Sequence, residues 1–246
     1  MSIARMPVVF FGHGSPMSAL EDSRYTQAWH AIGVSLPRPR AILAVSAHWY
    51  DAGTAVTAMP KPPTIHDFYG FPKPLYDVQY PAAGDPELAR RVQSLLAPTP
   101  VELDEEWGLD HGTWSVLLHA FPDADIPVVQ LRIDARRSPQ EHFELARRLA
   151  PLRNESVLII GSGNVVHNLR TVRWQPGAPP YDWATRFENR VAALVRERDY
   201  VPLIDYGSLG DDARRSIPTD EHFLPLLYCL ALAKDDDALT IPIDGV

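Results

Sequence analysis

The chain has 246 residues, 46% of them hydrophobic and 22% charged, with a formal net charge of -8. That is the make-up of a soluble globular protein able to bury a substantial core, and its acidic balance argues against a nucleic-acid or anionic-membrane partner, which needs a basic patch. No apolar run approaches the roughly 20 residues that span a bilayer, and the opening MSIARM lacks a signal-peptide apolar core. The single cysteine, Cys229, excludes an internal disulfide and a thiolate metal cage, as expected for a cytoplasmic protein.

In chain order, Pro7 to Phe11 is a short apolar run stopped by Gly12-His13-Gly14-Ser15-Pro16. It reads as a buried strand ending in a sharp turn. The spacing predicts a helix over 21–32 and a second buried strand over 40–46, which ends in Ala47-His48-Trp49. A short strand is expected over 56–59. Residues 60–83, dense in proline and aromatics, have neither period and read as a long functional loop. A helix follows over 86–96, with Asp85 as cap and Pro86 in its first turn. A strand over 101–104 leads to Gly108-Leu109-Asp110-His111-Gly112, and a helix is expected over 115–121. A strand over 127–133 precedes a helix over 138–149 that opens on a Ser138/Glu141 capping box. The run 156–160 is a further strand, ending in Gly161-Ser162-Gly163-Asn164-Val165-Val166-His167. Helices are expected over 182–198, 212–216 and 221–233, the last with His222 in its first turn. No linker or repeat divides the chain, so the expected architecture is one α/β domain over residues 1–246, with a mostly parallel sheet flanked by helices.

Several histidines therefore fall at strand ends or helix starts along one edge of a parallel sheet, where open α/β folds bind ligands. Each alone reads as ordinary hydrogen-bonded structure. Together, His13, His48, His111, His167 and His222 point to a catalytic metal with open positions, since imidazole is a common ligand for zinc, iron and copper. His30, His119 and His142 lie in helical segments and read as surface or packing groups. His66, among Phe68, Tyr69 and Phe71, is a candidate substrate contact.

The blocks Gly12-His13-Gly14-Ser15-Pro16-Met17, Ser46-Ala47-His48-Trp49, Gly108 to Trp114, Gly161 to Asn168 and Asp220 to Leu226 resemble the signature blocks of the class III (LigB-type) extradiol ring-cleavage dioxygenases, within them the 4,5-DOPA dioxygenase branch. The resemblance implies a non-haem Fe(II) enzyme that inserts both atoms of O2 into a small catechol, giving a ring-opened semialdehyde acid. Zn(II) at the same site is also implied. By position, His13, His48 and His222 would hold the metal. His167 would be either a fourth ligand or the acid/base, and His111 a second acid/base candidate or substrate contact. Asp110 is expected to orient its neighbour His111. Tyr69, Phe71, Tyr76, His66 and Ser15 would line the substrate site, and Arg170 and Arg173 are candidates for a substrate carboxylate. Relatives continue into one more strand beyond the position of Val246, so a missing or replaced final strand is expected. Partners are then the aromatic diol and O2, on a monomer or small homo-oligomer. Two other readings use the same histidines: a zinc hydrolase and a non-catalytic metal-binding protein.

Overall fold

The computed structural model describes residues 5–173, 175 and 177–245. Residues 1–4, which open the segment read for a signal peptide, lie outside them. Six strands form one sheet: β1 (Val8–Gly12), β2 (Ala41–Asp51), β3 (Thr54–Thr57), β4 (Val101–Asp104), β5 (Val128–Asp134) and β6 (Val157–Gly163). Their order is β1-β6-β2-β5-β3-β4. The strands β1, β6, β2 and β5 run parallel, whereas β3 meets β5 antiparallel and pairs with β4 in parallel. The minority direction follows from β3 doubling back after β2 through a turn at Gly53, whose positive φ of 90° suits glycine.

The helices are α1 (Arg24–Ser35), α2 (Lys73–Tyr76), α3 (Pro86–Leu96), α4 (His111–Ala120), α5 (Pro139–Arg147), α6 (Pro151–Asn154), α7 (Asp182–Glu197), α8 (Val201–Ile204), α9 (Asp211–Ser216) and α10 (Leu224–Leu232). Alternate residues of each central strand enter opposite cores. Leu43, Val45, Val157 and Ile159 pack with α3, α5, α7 and α10, while Ile42, Ala44, Leu158 and Ile160 pack with α1 and α4. Burial on both faces is why these strands read as unbroken apolar runs.

Several boundaries differ from expectation, β2 running on to Asp51 and β6 to Gly163, and three helix starts differ for identifiable reasons. Helix α1 begins at Arg24 because Ser23 and Thr26 cap each other reciprocally, which places the start beyond residue 21. Helix α4 begins four residues early, because Asp110 accepts from Thr113 N and caps it there. His111 is therefore the first helical residue. Helix α10 begins late: Pro225 has no N–H to donate to the Glu221 carbonyl, so 221–223 forms a turn and His222 precedes the helix.

Candidate active site

The carboxyl ends of β1, β6 and β2 converge with the turn before α10 and the start of α4. His13 follows β1 directly, and its N–H bonds the Gly163 carbonyl (3.0 Å), extending the ladder by one residue. His48 lies in β2, where the register against β5 shifts between Val45 and Tyr50. Such an irregularity re-aims side chains at a sheet end. His222 is held where its carbonyl accepts from Asn164 N (2.8 Å). Gly163 makes that approach possible: a Cβ there would stand 2.1 Å from the His222 oxygen.

The hydrogen-bond network assigns the imidazole tautomers. The Ser162 hydroxyl gives its one hydrogen to the Gly112 carbonyl (2.5 Å), so toward His13 Nδ1 (3.0 Å) it accepts. His111 Nδ1 meets Asp67 Oδ2 at 2.9 Å, and His222 Nδ1 meets Glu221 Oε1 at 3.0 Å. His48 Nδ1 stands 3.3 Å from Asp67 Oδ2. Carboxylates only accept, so His13, His111 and His222 carry hydrogen on Nδ1 and keep a lone pair on Nε2, whereas the His48 ring makes its hydrogen bond through Nε2.

The His13 Nε2 lone pair faces His48 Nε2 at a hydrogen-bonding distance of 3.1 Å. Burial, then the neighbouring imidazoles, lowers the basicity of both rings: His13 falls well below the usual histidine value, and His48 to about 2. A second proton on either ring is therefore disfavoured, and neutral imidazoles are able to ligate a metal ion. Two nitrogens each about 2.1 Å from one ion are about 3.0–3.4 Å apart. Ligand atoms of His13, His48 and His222 all lie within 4.8 Å of one another. This donor set suits iron or zinc.

Around this trio the structure sorts the remaining candidates. The His111 ring lies 3.8 Å from that of His48 and 5.7 Å from that of His13. The His167 ring stacks on His222 at 3.4 Å with planes 12° apart, and its Nδ1 is 4.0 Å from Glu221. Burial, then His222, lowers its basicity to about 4. Burial pushes the Glu221 carboxyl up, but the bond from His222 and further hydrogen bonds from the backbone and Thr219 together outweigh it and bring it to about 2.

Asp110 does not orient the His111 ring, as had been expected. Its carboxylate accepts from Ser46 Oγ (2.7 Å), from Thr113 N (3.1 Å) and from Gln130 Nε2. Burial and the nearby Asp67 raise it to about 6. The group on His111 is Asp67, 44 residues away in sequence, whose Oδ1 also accepts His111 N (2.9 Å). Asp67 stays low because the His111 hydrogen bond and the neighbouring imidazoles overcome the upward push of burial. Sequence reasoning missed Asp67, Ser162 and Glu221 as orienting groups. Ser162 stood in a quoted motif and Glu221 beside a quoted histidine, but no local pattern pairs Asp67 with His111.

The aromatic loop reaches the histidines through Phe68, whose ring is 5.5 Å from His111, with Phe71 (5.3 Å) and Tyr76 (5.2 Å) packed behind it. Tyr69 projects into solvent, 92% exposed. His66 donates Nε2–H to the Val78 carbonyl (3.0 Å) and packs on Trp114. The Ser15 hydroxyl caps the turn over Pro16–Leu20. Arg170 is exposed, and Arg173 lies over the Tyr181 ring (3.8 Å) and bonds the Pro179 carbonyl. Of the helical histidines, His30 is exposed, His119 bonds the Ser18 carbonyl and His142 is buried against the Tyr228 hydroxyl.

Comparison with known proteins gives this geometry a family. Residues 9–241 match the family described as the catalytic LigB subunit of aromatic ring-opening dioxygenase. The chain is 53% identical to 4,5-DOPA dioxygenase extradiol of Escherichia coli K12, over 100% of this chain and 92% of that one. It is 37% identical to 4,5-DOPA dioxygenase extradiol of Beta vulgaris, over 92% and 87% respectively. The crystal structure of an uncharacterized protein from Escherichia coli K12 superposes with a TM-score of 0.86 at 48% identity, covering 98% of this chain and 95% of that one. Among the described residues, no helix is long and apolar enough to cross a membrane. Matched along nearly its whole length, and with a cluster of histidines able to hold a metal ion, the chain belongs to the LigB family of aromatic ring-opening dioxygenases and is an extradiol ring-cleavage enzyme.

Proposed function

We propose that the protein is an Fe(II)-dependent extradiol dioxygenase acting on a small DOPA-like catechol, with His13, His48 and His222 as the metal ligands. The observation that carries this reading is the convergence of three imidazoles, His13 and His48 with their Nε2 atoms 3.1 Å apart and His222 beside them, all with ligand atoms within 4.8 Å of one another. The substrate class comes from the relatives that are named for this reaction on DOPA. When bound, Fe(II) favours the ionised catechol by its charge and carries electrons to O2; Zn(II) fits the same donors but has no redox chemistry.

The chain's own groups supply the rest. His167, neutral at pH 7 and carrying a carboxylate near its Nδ1, is the residue that takes the phenolic proton; His111 faces the other side of the trio and contacts the diol. Phe68 and Phe71 form an aromatic wall for the ring, with Tyr69 at the exposed loop tip. His66 supports that wall from behind, and Ser15 borders the site.

The test is anaerobic loading with Fe(II), followed by O2 uptake and appearance of a yellow ring-opened product across a panel of catechols. Turnover is expected with Fe(II) and not with Zn(II). A protein that holds Fe(II) stoichiometrically yet consumes no O2 with any catechol overturns the reading.

A further inference from the structure

Strand β2 parts from its neighbours where it carries His48. Its register with β6 ends at Ser46, and its register with β5 stops at Val45 and resumes only at Tyr50. Residues 47–49 thus form a bulge with no register partner in β5 or β6. The His48 N–H is bonded within the bulge by the Ser46 hydroxyl, which accepts it at 3.3 Å. That hydroxyl has one hydrogen to give, and gives it to Asp110 Oδ1 at 2.7 Å. Asp110 is also the cap of α4, accepting Thr113 N (3.1 Å), and its other oxygen takes Gln130 Nε2 from β5. Ser46, Asp110, Thr113 and Gln130 are all fully buried, and a buried polar network with every member paired is rigid. The first turn of α4 lies directly on the bulge: a Cβ on Gly112 would stand 2.5 Å from Ser46 Oγ and 2.8 Å from His48 Cδ2.

We propose that Asp110 is a positioning residue for His48: by fixing the Ser46 hydroxyl it holds the β2 bulge in the shape that brings the His48 ring to His13 and His222. The same carboxylate starts α4 at His111, so one buried group ties that helix to the strand carrying a ligand. The hold on the His48 backbone rests only on the contacts; its effect on metal binding rests on the ligand reading above. Groups that orient a metal-binding side chain without touching the metal are commonly worth 10- to 100-fold in metal affinity.

Three substitutions separate this role from ordinary support. Ser46→Ala deletes the link and leaves the rest of the network in place, since Asp110 keeps Thr113 N and Gln130. Asp110→Ser separates capping from positioning. Serine caps a helix about as well as aspartate does, but its side chain is one atom shorter and ends short of Ser46 and Gln130. Thr113→Val is the control: it takes the Thr113 hydroxyl away from Gln130 Oε1 (2.9 Å) in the same buried network, keeps the side-chain volume and leaves the Ser46–His48 link intact.

The experiment uses the full-length protein. Amide hydrogen exchange of the metal-free protein, followed by 1H–15N correlation, reports the His48 N–H, and Co(II) titration followed by visible absorption reports metal affinity. Ser46→Ala is expected to speed exchange at His48 several-fold while the Leu43 and Val45 amides stay protected. Its Co(II) dissociation constant is expected to rise about 10- to 100-fold. Asp110→Ser is expected to act in the same direction. Because it works through Ser46, it should weaken Co(II) binding no further when added to Ser46→Ala. Thr113→Val should lower the urea midpoint yet keep wild-type His48 exchange and Co(II) affinity.

The proposal is overturned if Ser46→Ala leaves His48 exchange unchanged or binds Co(II) within twofold of wild type. It is equally overturned if Asp110→Ser weakens Co(II) binding as much in the Ser46→Ala background as in the wild type, because Asp110 would then act by another route. A Thr113→Val variant that loses Co(II) affinity as Ser46→Ala does would reduce the effect to general loosening, with the same result. A wild type that takes up no Co(II) is instead the failure of the ligand reading, and His48 exchange then decides this proposal alone.

Discussion

Gly163→Ala would set a new atom against the backbone of a proposed metal ligand. The added Cβ would stand 2.1 Å from the His222 oxygen, 3.1 Å from its carbonyl carbon and 3.2 Å from Pro225 Cγ. Contacts under 3.0 Å essentially never occur for a Cβ, so the carbonyl must retreat by about 1 Å. That carbonyl belongs to a proposed metal ligand and accepts from Asn164 N (2.8 Å), so the bond weakens and the imidazole moves with its backbone. Metal–ligand distances tolerate only about 0.2 Å. Overpacking of this kind costs about 1–3 kcal/mol, and at this chain length each kcal/mol lowers Tm by about 2–4 °C. We expect a Tm about 2–12 °C lower and a Co(II) dissociation constant raised by about tenfold or more, as for other displaced ligand supports. Gly207→Ala, whose Cβ would meet nothing within 4 Å, is the control and should match wild type in both assays. If Gly163→Ala binds Co(II) with wild-type affinity, the close approach of β6 to the His222 turn does not position the ligand and the reasoning fails.

Replacing His13 or His48 with Ala should abolish metal retention, read by elemental analysis after dialysis; full stoichiometry in both variants would show the ligand assignment to be wrong. Ser138→Ala removes the reciprocal cap of α5, in which Ser138 Oγ accepts Glu141 N (3.3 Å) and Ser138 N bonds Glu141 Oε2 (2.8 Å). Loss of such a cap costs about 1 kcal/mol, seen as a lower urea midpoint at unchanged slope. Burial pushes the Asp134 carboxyl up, but bonds from Arg136 and Gly53 N outweigh it and hold it at about 2. Its folded value lies below the unfolded one of about 3.9. The stability it contributes is therefore complete above that unfolded value and lost as pH falls toward 2. Asp134→Asn should flatten the urea midpoint between pH 4 and 2, and a wild-type slope there would contradict the assignment.

Much of the fold was legible from local chemistry. Strand β4, helix α3 with its Asp85 cap and the Ser138/Glu141 box of α5 lie where propensity and capping place them, because those signals act within a few residues. Runs such as 156–160 were readable as buried strands because both sheet faces are covered. The start of α10 went astray because a helical pattern reads through Pro225, whose missing donor bars the turn upstream. The antiparallel placement of β3 had no local signal, since a four-residue strand reads the same in either direction.

The candidate site divides along the same line. Its histidines announced themselves one by one at strand ends and motif blocks, since a glycine-flanked imidazole after an apolar run is a local feature. How those imidazoles are held was a matter of distance in space. Asp67 reaches His111 across 44 residues, Ser162 reaches His13 across 149, and His48 Nε2 comes to face His13 Nε2 across 35. Side-chain hydrogen bonds between residues so far apart leave no periodicity in the chain. The sequence alone therefore determined most of the strands and helices and a set of candidate donors. Only tertiary packing decided which nitrogen of each donor faces the common centre, because the partners that fix each tautomer come together only when the sheet and loop have closed around them.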